Sequence, residues 1–266
     1  MPIVEVALGE RSYPVVIEDG GLEGLGDMVA RRFRSRFAIV ITDDVVAGLW
    51  AGGAEASLRG AGLQVETVVF PAGESNKTVA TFTYCLGSVL TLPVDRRTPI
   101  VAVGGGVVGD VAGLVAATAL RGLPFVQVPT TLLAMVDSSV GGKTGINHET
   151  GKNRIGAFHQ PSLVYAPLRT LTTLPLRERR AGLAEVVKTA VVGDPALLET
   201  LERDAERLVD GDPALLEPIV SRCVELKAAI VAEDELETGI RAALNLGHKV
   251  GHALENALGY GTLLHA

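Results

Sequence analysis

Short runs of consecutive apolar residues alternate with amphipathic stretches through the first two thirds of the chain. Phe37-Ala38-Ile39-Val40-Ile41 is one such run and stops at Thr42-Asp43-Asp44. Val65 to Phe70 is a second and ends at Pro71-Ala72-Gly73-Glu74. Pro99-Ile100-Val101-Ala102-Val103 runs into Gly104-Gly105-Gly106, and Phe125-Val126-Gln127-Val128 is closed by Pro129. Apolar runs of this length, bounded by turn residues, are the pattern of strands covered on both faces. Residues 78–90 and about 108–120 fit helices between them, and the N-terminal stretch MPIVEVALGERSYPVVI reads as strand, turn and strand. This β-α-β rhythm predicts a Rossmann-like α/β domain, a mostly parallel sheet with helices on both faces.

Beyond about residue 175 strand-like runs nearly disappear. Asp194-Pro195 and Asp212-Pro213 each offer an N-cap followed by Pro at the first helical position, within two copies of Gly-Asp-Pro-Ala-Leu-Leu-Glu. Two copies start two helices and do not make a solenoid. The expected division is an α/β domain over residues 1–175 and an all-α domain over 176–266.

Composition narrows the classes. Hydrophobic residues make up 47% of the 266, enough for a sizeable core, and 31 glycines suit many tight turns. A net charge of -7 argues against general nucleic-acid binding, which draws its affinity from phosphate neutralisation, but leaves room for a local basic pocket. Cys85 and Cys223 lie far apart in apolar helical stretches, so a reducing cytoplasm is expected rather than a disulfide framework. No signal-peptide pattern opens the chain, and no apolar run is long enough to span a bilayer, so no membrane partner is expected.

Four places carry candidate chemistry. Gly104-Gly105-Gly106-Val107-Val108-Gly109-Asp110 joins a strand to a helix, where glycines admit a pyrophosphate to free helix N–H groups. Its spacing differs from GxGxxG, so a plain tight turn is the competing reading. Asp43-Asp44 follows an earlier strand as a ribose ligand or an N-cap. Glu74 and Lys77, taken alone, read as a solvated polar loop. Second, Arg241, Asn245, His248 and His252, spaced 4, 3 and 4, fall on one face of a helix. Histidines at i and i+4 suit a metal, but His-Lys-Val-Gly-His lacks the acid of a zincin, and the third ligand is either His265 or an acid from elsewhere. Third, Glu185 and Lys188 lie three apart on an otherwise apolar helix, as a surface ion pair or a buried one. Fourth, Asp137 to Asn147 followed by Gly151-Lys152-Asn153-Arg154 reads as a Gly-rich loop with cationic and amide donors for an anion.

Together these segments resemble the 3-dehydroquinate synthase family. The resemblance rests on GGGVVGDVAG (104–113), VPTTLLAMVDSSVGGKTGIN (128–147), GKNRIGAFHQP (151–161), LTTLP (171–175), GLAEVVKTA (182–190) and NLGHKVGHALE (245–255). The DSSVGGKT run is similar to the dehydroquinate branch rather than to cyclases of glucose 6-phosphate or sedoheptulose 7-phosphate. The resemblance implies a lyase acting on 3-deoxy-D-arabino-heptulosonate 7-phosphate. Bound NAD+ would oxidise the C5 alcohol, phosphate would leave by β-elimination, and re-reduction with aldol closure would give 3-dehydroquinate. It implies Zn2+ or Co2+ on Glu185, His248 and His265, with His252 freed for hydrogen bonding or proton transfer. It places Lys143, Lys152, Asn153, Asn245 and His252 around the phosphate and acidic groups, and Asp137, Lys188, Lys227 and Arg241 around the ring hydroxyls and carboxylate. It rests NAD on Asp44, Glu74, Lys77, Gly105, Gly106, Val107, Asp110, Thr130, Thr131 and Thr173. Arg121 would reach the site of a neighbouring subunit in a homodimer. The family continues after its third metal histidine with Gly-Glu-Ala and further helices, one carrying a phosphate-binding lysine, whereas here Ala266 follows His265. The helical domain is therefore expected to be incomplete. Two other classes compete: a non-catalytic NAD-binding fragment, and a polyol dehydrogenase that releases NADH.

Overall fold

The computed structural model describes residues 1–248, 250, 251, 253, 254 and 264. The chain opens with β1 (Ile3–Val6) and β2 (Tyr13–Glu18), then α1 (Leu25–Arg32), β3 (Phe37–Asp43), a helical turn α2 (Asp44–Val46) and α3 (Gly52–Gly60). There follow β4 (Gln64–Phe70), α4 (Val79–Leu90), β5 (Ile100–Gly104), α5 (Gly106–Thr118) and β6 (Phe125–Pro129). A hairpin of β7 (Lys143–His148) and β8 (Gly151–Phe158) precedes β9 (Leu163–Pro167). From Leu176 onward the described regular elements are helical: α6 (Leu176–Gly193), α7 (Pro195–Arg203), α8 (Ala205–Asp210), α9 (Pro213–Glu233) and a 3-10 turn at Ile240–Asn245.

Seven strands form one sheet in the order β1-β2-β9-β6-β5-β3-β4, parallel throughout except for β1 against β2. The period-2 alternation of each strand divides its side chains between two layers. Ile39, Ile41, Ile100 and Ala102 pack under α4 and α5, while Ala38, Val40, Val101 and Val103 pack under α1 and α3. A third apolar cluster joins Val15, Ile17, Val164 and Ala166 to Val186, Ala190, Val220, Val224 and Val231, so the helical portion shares a core with the sheet.

Asp194 and Asp212 cap α7 and α9 through Leu197 N–H and Ala214 N–H, the first turns that the sequence placed there. Two expectations need correction. The Gly-rich stretch around residues 143–158 is an antiparallel hairpin, not a loop; Gly145 and Gly156 let its strands approach so closely that a Cβ at either would press on backbone. The helix after the triple glycine begins at Gly106, earlier than Val108, because Gly105 itself serves as its N-cap residue.

Candidate functional site

The nucleotide candidates all gather at the C-terminal ends of parallel strands, where open α/β sheets bind ligands. Asp44 follows β3, Glu74 and Lys77 follow β4, Gly105 to Asp110 follow β5, Thr130 and Thr131 follow β6, and Thr173 follows β9. Between β3 and β5 the strand order reverses, with β4 outward on one side and β6 on the other. At this switch point Gly105 leads directly into α5, and a Cβ on Gly104, Gly105 or Gly106 would meet Val108, Thr131 or Ser138 respectively. Asp43 is the buried N-cap, accepting from Val45 and Val46 N–H at 3.0 and 2.8 Å, whereas exposed Asp44 accepts from Ala72 N–H at 2.9 Å. Thr131 Oγ1 accepts from Ala134 N–H, and Thr173 Oγ1 from the Trp50 indole N–H at 2.9 Å.

Lys77 is not solvated. It is 4% exposed, and its Nζ donates to Asp110 at 2.5 Å and to Asn153 at 2.6 Å. Burial alone would lower its pKa, but Asp110 and Glu74 hold it above the ordinary lysine value. Asn153, in the left-handed region at φ 52°, donates its backbone N–H to Asn147, whose amide in turn donates to Glu74 at 2.8 Å. A loop after β4, helix α5 and strand β8 are thus tied by one ammonium group.

A second cluster forms where α6 presses on the segment 131–138. Gly182 makes this approach possible: a Cβ there would stand 2.7 Å from Leu132 Cβ and 2.8 Å from Leu133 N. One turn on, buried Glu185 and Lys188 form an ion pair, and Lys188 Nζ lies 3.7 Å from Asp137. Lys227 of α9 donates to Asp137 Oδ1 at 2.6 Å and to its carbonyl at 2.5 Å. Burial raises the Asp137 pKa, but the two lysines prevail and keep the carboxyl well below the usual carboxylate range. Lys227 is pushed down by burial despite Asp137. His248 Nε2 stands 3.2 Å from Glu185 Oε1, and this contact, with Lys188, keeps Glu185 low against burial and the Asp137 charge. Glu185 thus faces the Lys188 ammonium through Oε2 and the His248 imidazole through Oε1, and a buried carboxylate beside an imidazole is the donor chemistry that a divalent cation takes. Among the described residues no group of three ligating side chains stands together. His252 and His265 lie outside the described residues.

The one-face helix expected for Arg241, Asn245 and His248 is not what forms. Arg241 and Asn245 sit on the 3-10 turn, Leu246 and Gly247 break it, and helix resumes at His248. Gly247, at φ 82°, supplies the left-handed break. Arg241 turns inward instead: 2% exposed, it donates to the carbonyls of Gly141 (2.9 Å) and Glu235 and stacks over Phe158 at 5.9 Å. Gly141, at φ 98°, leaves it room, since a Cβ there would stand 2.4 Å from Arg241 Nη2. Lys143 pairs with Glu237, and Asn245 donates to the same carboxylate at 2.5 Å. Lys152 lies on β8, and Arg121 is exposed on a left-handed turn shared with Leu120, at φ 67° and 50°.

The sequence reading missed Asp234, Glu235 and Glu237. Asp234 accepts from the backbone N–H groups of Thr238, Gly239 and Arg241 at 2.8, 2.7 and 3.1 Å, which folds the 235–239 loop back under the site. Glu235 is held by Arg11 and Gln160. Four acids in the eight residues before Arg241 were the available signal, but the run Ala232-Glu233-Asp234-Glu235 looks like an ordinary wet helix end.

Two family models match adjoining parts of the chain. Residues 67–181 match the family model of the 3-dehydroquinate synthase N-terminal part, and residues 182–266 that of its C-terminal part. A 3-dehydroquinate synthase of Pelobacter propionicus is 54% identical over the whole chain, which spans 74% of that protein. One of Desulforamulus reducens is 46% identical over the same shares. Among solved structures, a 2-deoxy-scyllo-inosose synthase complexed with carbaglucose-6-phosphate, NAD+ and Co2+ superposes with a TM-score of 0.91 at 31% identity, covering 99% of this chain and 72% of that one. A 2-epi-5-epi-valiolone synthase from Streptomyces hygroscopicus with NAD+ and Zn2+ gives 0.88 at 32%, over 97% and 72%. An iron-containing alcohol dehydrogenase of Thermotoga maritima, at 16% identity and a TM-score of 0.63 over 89% and 72%, shares the fold alone.

Proposed function

From the premise that this chain belongs to the 3-dehydroquinate synthase family of lyases, we propose that it converts 3-deoxy-D-arabino-heptulosonate 7-phosphate to 3-dehydroquinate and inorganic phosphate. The observation that carries this reading is the convergence of Asp137, Glu185, Lys188, Lys227 and His248 from four separate segments on one buried place. An isolated carboxylate pair or a plain surface ion pair would not need two buried lysines and an imidazole around two acids.

When bound, NAD+ supplies a hydride acceptor and a divalent cation supplies Lewis acidity. Buried Glu185, and His248 at 3.2 Å from it, are two fitting ligands for Zn2+ or Co2+, and His265 is the proposed third. NAD+ would lie across the β3/β5 switch point, its pyrophosphate against the N-terminus of α5 at Gly105 and Gly106. Asp44, Glu74, Lys77, Val107, Asp110, Thr130, Thr131 and Thr173 rim that edge. Asp137, kept ionised by its two lysines, accepts hydrogen bonds from ring hydroxyls, while Lys188, Lys227 and Arg241 offset the substrate carboxylate. Lys143, Lys152, Asn153 and Asn245 receive the phosphate, and His252 transfers a proton. Exposed Arg121, on its left-handed turn, completes a partner's site in a homodimer. Two buried, unpaired cysteines suit work in the cytoplasm.

The test is phosphate release from the heptulosonate phosphate in the presence of NAD+ and Zn2+, with absorbance followed in the same cuvette. Release without net NADH is expected. Net NADH from a simple polyol, with no phosphate released, would replace this reading with a dehydrogenase.

A further inference from the structure

Arg241, assigned to the substrate carboxylate, hangs from two backbone carbonyls, those of Gly141 and Glu235. Carbonyl oxygens orient a guanidinium without cancelling its charge. Both carbonyls are in turn fixed by one short stretch, residues 11–13 at the entry to β2, which the assignment does not include. Tyr13 is 1% exposed, and its hydroxyl oxygen accepts the Gly141 N–H at 3.0 Å. Burial pushes the phenol pKa up to about 12, so this oxygen accepts as a neutral group. Gly141 and Gly142 both lie in the left-handed region, at φ 98° and 68°, and a glycine pair has no side chain to set its own backbone. Tyr13 holds the peptide before this pair, and the His159 N–H, donating to the Gly142 carbonyl at 2.8 Å, holds the peptide after it. The Gly141 carbonyl that takes Arg241 stands between these two anchors. On the other side Arg11 grips both carboxylate oxygens of Glu235, with Nη2 at 2.6 Å from Oε2, and Gln160 donates to Oε1 at 2.9 Å.

We propose that Arg11 and Tyr13 are positioning residues: together they set the place and orientation of the Arg241 guanidinium, and through it the affinity for the substrate's carboxylate end. The inference rests on the proposed carboxylate role of Arg241 and deepens it. Each residue acts through a carbonyl that Arg241 grips, not through a contact of its own. The two routes are separate, one through the start of the hairpin and one through the loop after α9. Losing either tether loosens one of the two carbonyls, and a guanidinium held firmly at one end only swings away from its anion.

Two probes separate the carboxylate end from the phosphate end: 3-dehydroquinate, which carries a carboxylate and no phosphate, and inorganic phosphate. Each is titrated by calorimetry into the full chain with saturating NAD+ and Zn2+. Y13F keeps the ring and its packing and removes the acceptor; R11A changes a side chain that is 63% exposed and so leaves the core alone. Both are expected to bind 3-dehydroquinate about 5-fold to 10-fold more weakly, the scale of one lost bond to a charged group, with phosphate binding unchanged. R11K, whose single ammonium cannot span both oxygens, is expected to regain part of the loss. Unchanged 3-dehydroquinate binding in Y13F and R11A overturns the proposal, and so does an equal loss for phosphate, which would make residues 11–13 a prop for the whole site. R241M separates the underlying reading. It is expected to lose 3-dehydroquinate binding by itself, and adding Y13F to it is expected to cost nothing more. A further loss in the double variant overturns the coupling to Arg241. Parent-like binding by R241M, or none by the parent, overturns the carboxylate role of Arg241 itself.

Discussion

Replacing Lys77 by methionine strips the cation from Asp110 while keeping the length of the side chain. The Lys77 side chain is 5% exposed and that of Asp110 18%, with 2.5 Å between Nζ and Oδ2. Removing one partner of a buried pair costs about 3–5 kcal/mol, because the surviving charge has no compensation. Asp110 retains some solvent, which puts the expected loss for K77M near the lower end, about 3 kcal/mol. The contact to Asn153 adds little, since Asn153 is exposed and water replaces the donor. At about 2–4 °C per kcal/mol for a chain of this size, the melting temperature falls by about 6–12 °C. The decisive comparison is K77M/D110L, in which the orphan charge is gone. Apolar replacement of both partners is often near neutral, so the double variant regains most of the loss. Urea unfolding of the four proteins gives a coupling energy, expected at about 2 kcal/mol or more. A K77M loss under about 1 kcal/mol, or a double variant no more stable than K77M, refutes the view that this ammonium balances a buried acid.

Four other outcomes follow from the same geometry. G105V puts a Cβ 3.0 Å from Thr131 Cγ2 and denies a pyrophosphate its backbone approach, so NAD+ affinity measured by fluorescence quenching drops at least ~10-fold while circular dichroism is unchanged. With Glu185 as the proposed metal ligand, E185Q is expected to lower bound Zn2+, measured by atomic absorption, together with the activity, about 10-fold or more. The depressed pKa of Asp137 contributes stability that is fully present above about pH 4 and is lost as pH falls through the folded value. D137N is therefore less stable at neutral pH, and its unfolding free energy changes less between about pH 5 and pH 2 than that of the parent. D194A loses the Leu197 N–H cap and the Arg222 contact, for about 1–2 kcal/mol in denaturant unfolding.

The strands were legible because their signal is local. Ile39 to Ile41 and Ile100 to Val103 are apolar on both faces, and only a covered parallel strand accommodates that. The two Asp-Pro starts were legible for the same reason, since a cap acts within one turn of its own helix. Lys77 was misread without its family loop, because nothing near it in sequence reveals Asp110, 33 positions on, or Asn153, 76 positions on. The Arg241 register failed where Gly247 breaks the helix, an event that a periodicity argument over short spacings does not register. The hairpin at 143–158 was hidden by its glycines, which read as loop yet serve to bring two strands together.

Lys77 also ties the proposed nucleotide edge to the proposed anion side. Its backbone follows β4, its ammonium lies on α5, and its second partner Asn153 is on the hairpin that carries Lys143 and Lys152. The hairpin is in turn seated on α5 through Gly113, where a Cβ would stand 2.4 Å from Thr144 Cγ2. The base of β7 is therefore packed on α5 with no room for even a methyl group between them. On the other side, Gly141 and Arg241 couple the start of that hairpin to the loop that presents Glu237. The hairpin is the common member of both contacts, so the placement of Lys143 depends on α5 and on Arg241 together, and neither cluster is positioned independently of the other.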